Sequence, residues 1–217
     1  MKKFKFAIIC LMLLSLVITG VSFMFLGDII PIHIGIDSTP DQYGSKYFIL
    51  VFPFVMCVIG VTMLLVVKYA KVTENYKKYT LLTGVILEAM FLLLLLVFSV
   101  YIILYTEDTP AFDISKIMMI LFGLLFIVMG NYMPKIEKNR SLGIKTVWSM
   151  YNEVTWQKTH RFSGFVGIIA GVLCLVLGFF FKEMVNFIIL MSLVAVFAIS
   201  TTIASYHYYK VEKAKEE

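Results

Sequence analysis

Six uninterrupted apolar runs limit what this chain can fold into more than any other feature of its sequence. They cover Phe6 to Leu26, Tyr47 to Val67, Thr80 to Leu104, Ile117 to Met133, Phe162 to Phe181 and Met184 to Ser205. Each is close to the roughly 20 residues that a helix needs to cross a hydrocarbon core about 30 Å thick. The runs are continuously apolar instead of alternating, and a helix satisfies its own backbone hydrogen bonds, so helix is the form that lipid permits. With 60% hydrophobic and only 15% charged residues, the composition departs from that of soluble domains, where about a quarter of residues are charged. The chain reads as an all-α integral membrane protein with six transmembrane helices. The first run follows a short basic start and is too long for the apolar core of a signal peptide, with no small-x-small cleavage pattern, so it is expected to be retained.

Orientation follows from the basic residues, which stay cytoplasmic near span ends. With the N-terminus inside, sixteen of the nineteen Lys and Arg fall on the inner side and only Lys46, Lys116 and Lys182 on the outer. The expected topology is N-in/C-in. The net charge of +5 is thereby explained as topology, which leaves no case for direct nucleic acid binding. Cys10, Cys57 and Cys174 all lie inside apolar runs, so neither a disulfide framework nor a thiolate metal site is indicated.

The outer segments are acidic. The first, GDIIPIHIGIDSTPDQYGSK, carries Asp28, Asp37 and Asp41 and is punctuated by Pro31, Gly35, Pro40 and Gly44, which predict turns; the second carries Glu107, Asp108 and Asp113. Such a face attracts cationic peptides or ions, or it is what basic retention leaves outside. His33 stands among the three aspartates of the first loop, without the tight ligand spacing of a metal site, so no metal is assigned.

The inner segment from Pro134 to Arg161 is the longest polar interruption and holds both tryptophans. Asn152 is placed to cap a short amphipathic helix leading into the fifth span, with Glu153 in its first turn. Trp148 and Trp156, flanked by Lys145, Lys158 and Arg161, suit either an anchor in the headgroup layer or a docking surface for a cytoplasmic partner. Glu88 is the one charge within a run, expected one to two turns from the inner end of span three, within reach of Lys77, Lys78 or headgroup water. Pro53 is expected to kink span two, and Asn131 to end span four beside Pro134. Gly164, Gly167, Gly171 and Gly178 line one side of span five, where the Gly167–Gly171 GxxxG pair permits close helix approach.

No catalytic constellation is present: there is no HExxH, GxSxG, phosphate-binding loop or pair of intramembrane aspartates. His33 lies outside while His160 and His207 lie inside. The sequence predicts a non-enzyme that calls for no cofactor.

Two stretches carry a resemblance. GNYMPKIEKNRSLGIKTVWSMYNEVTWQKTHRFSG, Gly130 to Gly164, closely resembles the signature of the SdpI-like proteins, the immunity proteins of the sporulation-delaying toxin system and their relatives in Gram-positive bacteria. The matching residues are Gly130, Asn131, Pro134, Lys135, Asn139, Gly143, Ile144, Thr146, Trp148, Asn152, Glu153, Trp156, Thr159, His160 and Arg161. The outer loop is similar to that of the small membrane domain which often precedes this signature, at Pro31, His33, Pro40, Asp41, Tyr43, Gly44, Ser45 and Lys46. It departs at Ser38, where Gly is usual, and at Ile34, where an aromatic is common.

The resemblance implies an N-terminal membrane domain over residues 1–104 and an SdpI-like membrane domain over 105–217. It implies immunity to a secreted, membrane-active peptide toxin, with His33, Asp37, Asp41 and Tyr43 as candidate toxin contacts. It further implies a cytoplasmic autorepressor as partner, docking on an inner-loop set of Asn131, Pro134, Lys135, Asn139, Gly143, Lys145, Trp148, Asn152, Glu153, Trp156, Lys158, His160 and Arg161. A small-solute or ion transporter using Glu88 is the alternative from another class; transporters favour several mid-membrane polar groups or broken helices.

Overall fold

A computed structural model describes residues 1–35, 39–71, 73–106, 113–139 and 142–216. Six helices long and apolar enough to cross a membrane account for most of it: α1 Lys2–Phe23, α2 Val51–Tyr69, α3 Glu74–Thr106, α4 Ile114–Tyr132, α5 Glu153–Phe180 and α6 Glu183–Lys213. They fall into two compact units, Met1–Asp113 and Ile114–Glu217.

Burial runs opposite to that of a soluble protein. Phe6, Phe165 and Phe179 are exposed, whereas Ser15, Thr19, Ser22, Glu88, Thr155, Thr159, Ser163 and Thr201 are buried. Lipid gives apolar side chains no reason to hide, so small and hydroxyl-bearing residues join apolar ones in the helix contacts. Ser15 and Ser22 return their hydroxyl protons to the helix, at the carbonyls of Met12 (2.7 Å) and Ile18 (2.8 Å). The chain is a multi-pass membrane protein.

In the first unit α1 packs against both α2 and α3. The loop between α1 and α2 corrects the all-α expectation. It forms an antiparallel hairpin, β1 Ile29–Ile34 and β2 Pro40–Ser45, in which Ile29 pairs with Ser45 and Pro31 with Tyr43. The turn residues noted in the sequence are real, but Ile30, Ile32 and Ile34 also alternate with other residues, which is the period of a strand with one covered face. Ile30 is fully buried and joins Leu26, Ile49, Met56, Leu92, Leu95 and Ile102 in the core, so the ribbon is bound to the helix ends by packing.

Pro53, expected to kink span two, lies three residues after the span changes from a 3-10 turn at Lys46–Leu50 to the α-helix Val51–Tyr69. One helix expectation is corrected. Among the described residues no separate short amphipathic helix precedes the fifth span, because α5 runs unbroken from Glu153 to Phe180.

In the second unit α5 packs against both α4 and α6, around a core of Met119, Cys174 and Leu190. The α4–α5 seam is set by glycines seven residues apart. A methyl group on Gly164 would lie 2.6 Å from the Gly130 carbonyl oxygen, one on Gly171 2.5 Å from that of Gly123, and one on Gly178 2.6 Å from Met119 Cβ. Gly167 of the GxxxG pair has nothing closer than 3.5 Å. The heptad set makes the tightest approaches, and of the GxxxG pair only Gly171 belongs to it.

Candidate functional site

The polar segment between α4 and α5 folds into a cap held by a continuous set of hydrogen bonds. It leaves α4 through a 3-10 turn at Met133–Lys135, with Pro134 at its start and Lys135 Nζ 5.0 Å from the Tyr132 ring centre. Asn139 then forms a side-chain turn: its amide donates to the Glu137 carbonyl (2.7 Å) and its Oδ1 accepts from the Leu142 N–H (2.6 Å). Gly143 follows with φ +97°, in the left-handed region that glycine enters without steric cost. It lies against the imidazole, since a Cβ there would sit 2.3 Å from His160 Nε2.

Trp156 and His160 form the centre. Both are fully buried and lie one helical turn apart on α5, with ring centres 3.9 Å apart and planes 24° from parallel. The indole N–H donates to the Ile136 carbonyl at 2.7 Å. His160 Nε2 accepts the Ile144 N–H at 3.0 Å, and its other nitrogen lies 2.9 Å from the Trp156 carbonyl. A ring that accepts at Nε2 and faces a carbonyl from Nδ1 carries its proton on Nδ1 and is neutral. These two side chains therefore hold both arms of the loop, 136 and 144, on the first turns of α5. Trp156 is not the interfacial anchor its basic neighbours suggest; an indole with a buried N–H partner is a structural pin.

The remainder of the loop is closed by Thr146 and Ser149, each hydroxyl accepting the other's backbone N–H at 2.9 Å. Ser149 also donates to the Ile144 carbonyl (2.7 Å), and Thr146 reaches Ser205 of α6 (2.9 Å). Asn152 caps α5 as expected, its Oδ1 accepting from the Thr155 N–H at 2.8 Å and the Thr155 hydroxyl at 2.9 Å. The end of α6 supplies the other wall. Trp148 meets Tyr206 edge-on at 5.0 Å and Tyr151 meets Tyr209 at 4.9 Å. Lys158 pairs with Glu212 at 2.7 Å, Lys215 pairs with the same oxygen at 2.9 Å, and the Tyr151 hydroxyl donates to Glu216. Asn131, Lys145, Glu153 and Arg161 are exposed around this cap.

Ser149, Ser205, Tyr206, Tyr209 and Glu212 have structural roles that sequence reasoning did not assign. The aromatic and basic tail Tyr206-His-Tyr-Tyr-Lys210 was the available signal, since a span that continues as a polar helix needs something to pack on.

On the hairpin, His33 Nδ1 and Asp41 Oδ1 lie 2.5 Å apart, both well exposed. Tyr43 shares a 2.9 Å hydroxyl contact with Tyr105, which pushes the Tyr43 phenol above its usual range. Asp28 pairs with Lys46 at 2.8 Å, and that ammonium holds the Asp28 carboxyl below the usual carboxylate range. The structure thus brings His33, Asp41 and Tyr43 onto one ribbon; Asp37 lies outside the described residues. Among the described residues no three His, Cys, Asp or Glu side chains are grouped to hold a metal ion.

Glu88 does not make the expected reach to Lys77. It is fully buried, fourteen residues beyond the start of α3 at Glu74, or about 21 Å along the helix at 1.5 Å per residue. Lys77 is instead paired with Glu74 at 2.9 Å.

Residues 135–205, which span the cap, α5 and most of α6, match the model of the SdpI/YfhL protein family. The resemblance drawn from the Gly130–Gly164 motif is borne out, and the cap described above is the three-dimensional form of that motif. A second model, described as a domain of unknown function, DUF1648, matches residues 10–57, from α1 through the hairpin into α2. Over 203 residues, 94% of this chain and 93% of the relative, the sequence is 28% identical to the immunity protein SdpI of Bacillus subtilis (strain 168). No solved structure matches the chain.

Proposed function

We propose that this protein confers immunity on its producer against a secreted, membrane-active peptide. The observation that carries the reading is the end-to-end match to an immunity protein, which takes in the hairpin and the SdpI/YfhL region alike. The protein lies N-in/C-in, with a membrane domain over residues 1–104 and an SdpI-like one over 105–217. The hairpin meets the toxin outside through His33, Asp37, Asp41 and Tyr43, and the cap faces the cytoplasm. Its exposed rim, including Lys145 and Arg161, is where an autorepressor docks, on a surface that the buried pair Trp156 and His160 keeps in shape.

Orientation is checked by single cysteines in a variant lacking Cys10, Cys57 and Cys174. Cysteine at Gln42 on β2 reacts with an impermeant maleimide in intact cells. Cysteine at Val147, 88% exposed on the cap, reacts only after permeabilisation. External labelling at 147 reverses the topology and removes the docking role.

Immunity is checked by expression in a sensitive Gram-positive host. Tolerance to a toxin of the sporulation-delaying type rises, and charge reversal at Asp37 and Asp41 together lowers it at unchanged membrane level, since a cationic peptide loses its counter-charge. Unchanged sensitivity with the protein confirmed in the membrane sinks the reading for that toxin. In the same cells, Gln at Lys145 and Arg161 is expected to abolish membrane recruitment of a tagged repressor while tolerance persists.

A further inference from the structure

Glu88 has the least expected surroundings of any side chain in the molecule. Neither carboxyl oxygen has a hydrogen-bond partner among the described residues. A methyl group added to Gly60 would lie 2.8 Å from Glu88 Oε1, 2.5 Å from Met12 Sδ and 3.0 Å from Ile8 Cγ2. The carboxyl therefore occupies a notch that exists because residue 60 has no side chain, closed by a thioether and an isoleucine. The Gly60 N–H lies inside α2, where it belongs to the helical ladder.

The depth of this notch follows from its walls. Met12 is the eleventh of the 22 residues of α1, and Gly60 the tenth of the 19 residues of α2. Within the apolar runs Phe6–Leu26, Tyr47–Val67 and Thr80–Leu104, Met12, Gly60 and Glu88 lie six, seven and eight residues from one common end, so the notch is inside the hydrocarbon region, about 9 to 12 Å from its edge at 1.5 Å per residue. Among the described residues no charged group shares the notch. On α1, Lys2, Lys3 and Lys5 are at the end of the helix and Cys10 is exposed; on α2, Cys57 is half-buried one turn away and Lys68 is at the far end; on α3, Glu74, Lys77 and Lys78 lie at least ten residues off.

An unpaired carboxylate at that depth is a charge with neither water nor a counter-ion, whereas the neutral acid is a small polar group that the site tolerates. We propose that Glu88 is an intramembrane proton-binding site, a carboxylic acid that keeps its proton while α1, α2 and α3 are packed and releases it only when the Met12–Gly60 seam admits water. The site is independent of the immunity reading.

Carbodiimides test this in the full-length protein, folded in membranes at neutral pH. The acid O–H adds across one C=N bond: the carboxyl oxygen bonds to the central carbon, the proton passes to nitrogen, and an oxygen-to-nitrogen acyl shift leaves a stable N-acylurea with no group lost. Lipid-soluble dicyclohexylcarbodiimide is expected to add its full mass to the peptide containing Glu88, at least tenfold faster than a water-soluble carbodiimide does. The adduct disappears in Glu88→Gln, which keeps the neutral shape and the wild-type membrane level. Absence of an adduct on folded wild-type protein overturns the proposal. So does equal reaction with the water-soluble reagent, which would place the carboxyl in water, and so does loss of folded protein in Glu88→Gln, which would mean that the negative charge is required.

Discussion

Gly171→Val is expected to remove most of the folded protein from the membrane. The new Cβ would sit 2.5 Å from the Gly123 carbonyl oxygen and 2.7 and 2.9 Å from Ile127 Cγ1 and N. Two of those three atoms are backbone, so relief requires α4 and α5 to move apart along the whole glycine seam. Overpacking of a core ordinarily costs about 1 to 3 kcal/mol and sometimes more; with backbone as the obstacle the upper end applies, a large share of a domain's ~5 to 15 kcal/mol. Gly167→Ala is the internal control. Its methyl meets nothing closer than 3.5 Å, and alanine is the better helix former by up to about 1 kcal/mol, so stability is unchanged or slightly higher. Thermal unfolding in detergent and the membrane level of both variants measure the contrast. Equal behaviour of the two would mean that the seam yields, and the heptad account of the second unit would be wrong.

Trp156→Ala is expected to open the cap, at a cost of about 3 to 5 kcal/mol for emptying a buried aromatic site. Trp156→Phe restores much of the volume but not the N–H, leaving the Ile136 carbonyl without its donor, which costs about 1 to 3 kcal/mol. Trp148→Phe keeps an aromatic edge against Tyr206 and is expected to cost less than about 1 kcal/mol. Hydrogen exchange of residues 136–151, read against that of α2 in the other unit, separates local opening from general destabilisation. A loss at Trp148→Phe equal to that at Trp156→Phe would contradict the pin-and-wall arrangement and return both indoles to the role of membrane anchors.

These two results bear on function together. In the proposed reading the exposed rim of the cap recruits a partner, while the buried pair only holds the rim in shape. Trp156→Phe should then weaken recruitment in proportion to the loop it loosens, whereas Gln at Lys145 and Arg161 weakens recruitment with exchange rates unchanged.

The six spans were legible because lipid leaves few options: a long run without charge has to be a helix, and no packing detail alters that. The Asn152 cap was legible for a similarly local reason, since an Asx side chain satisfies an N–H three residues on whatever surrounds it. The hairpin was missed because proline and glycine mark turns without saying what lies between them; its strands form only because Ile30 finds the helix core. Tertiary structure alone decided the rest. Trp156 and Trp148 have similar basic neighbours in sequence, yet one is buried and the other half-exposed, according to where the Ile136 carbonyl and the α6 tyrosines arrive. Of the glycines on α5, Gly164 and Gly171 press on the α4 backbone while Gly167 stands 3.5 Å from it, a difference that no spacing in one helix reveals. That Glu88 does not reach Lys77 could not be read from its own run, because Lys77 is taken by Glu74 in the first turn of α3. Its burial is completed at Met12 and Gly60, residues far away in the chain that meet it only when the three helices pack.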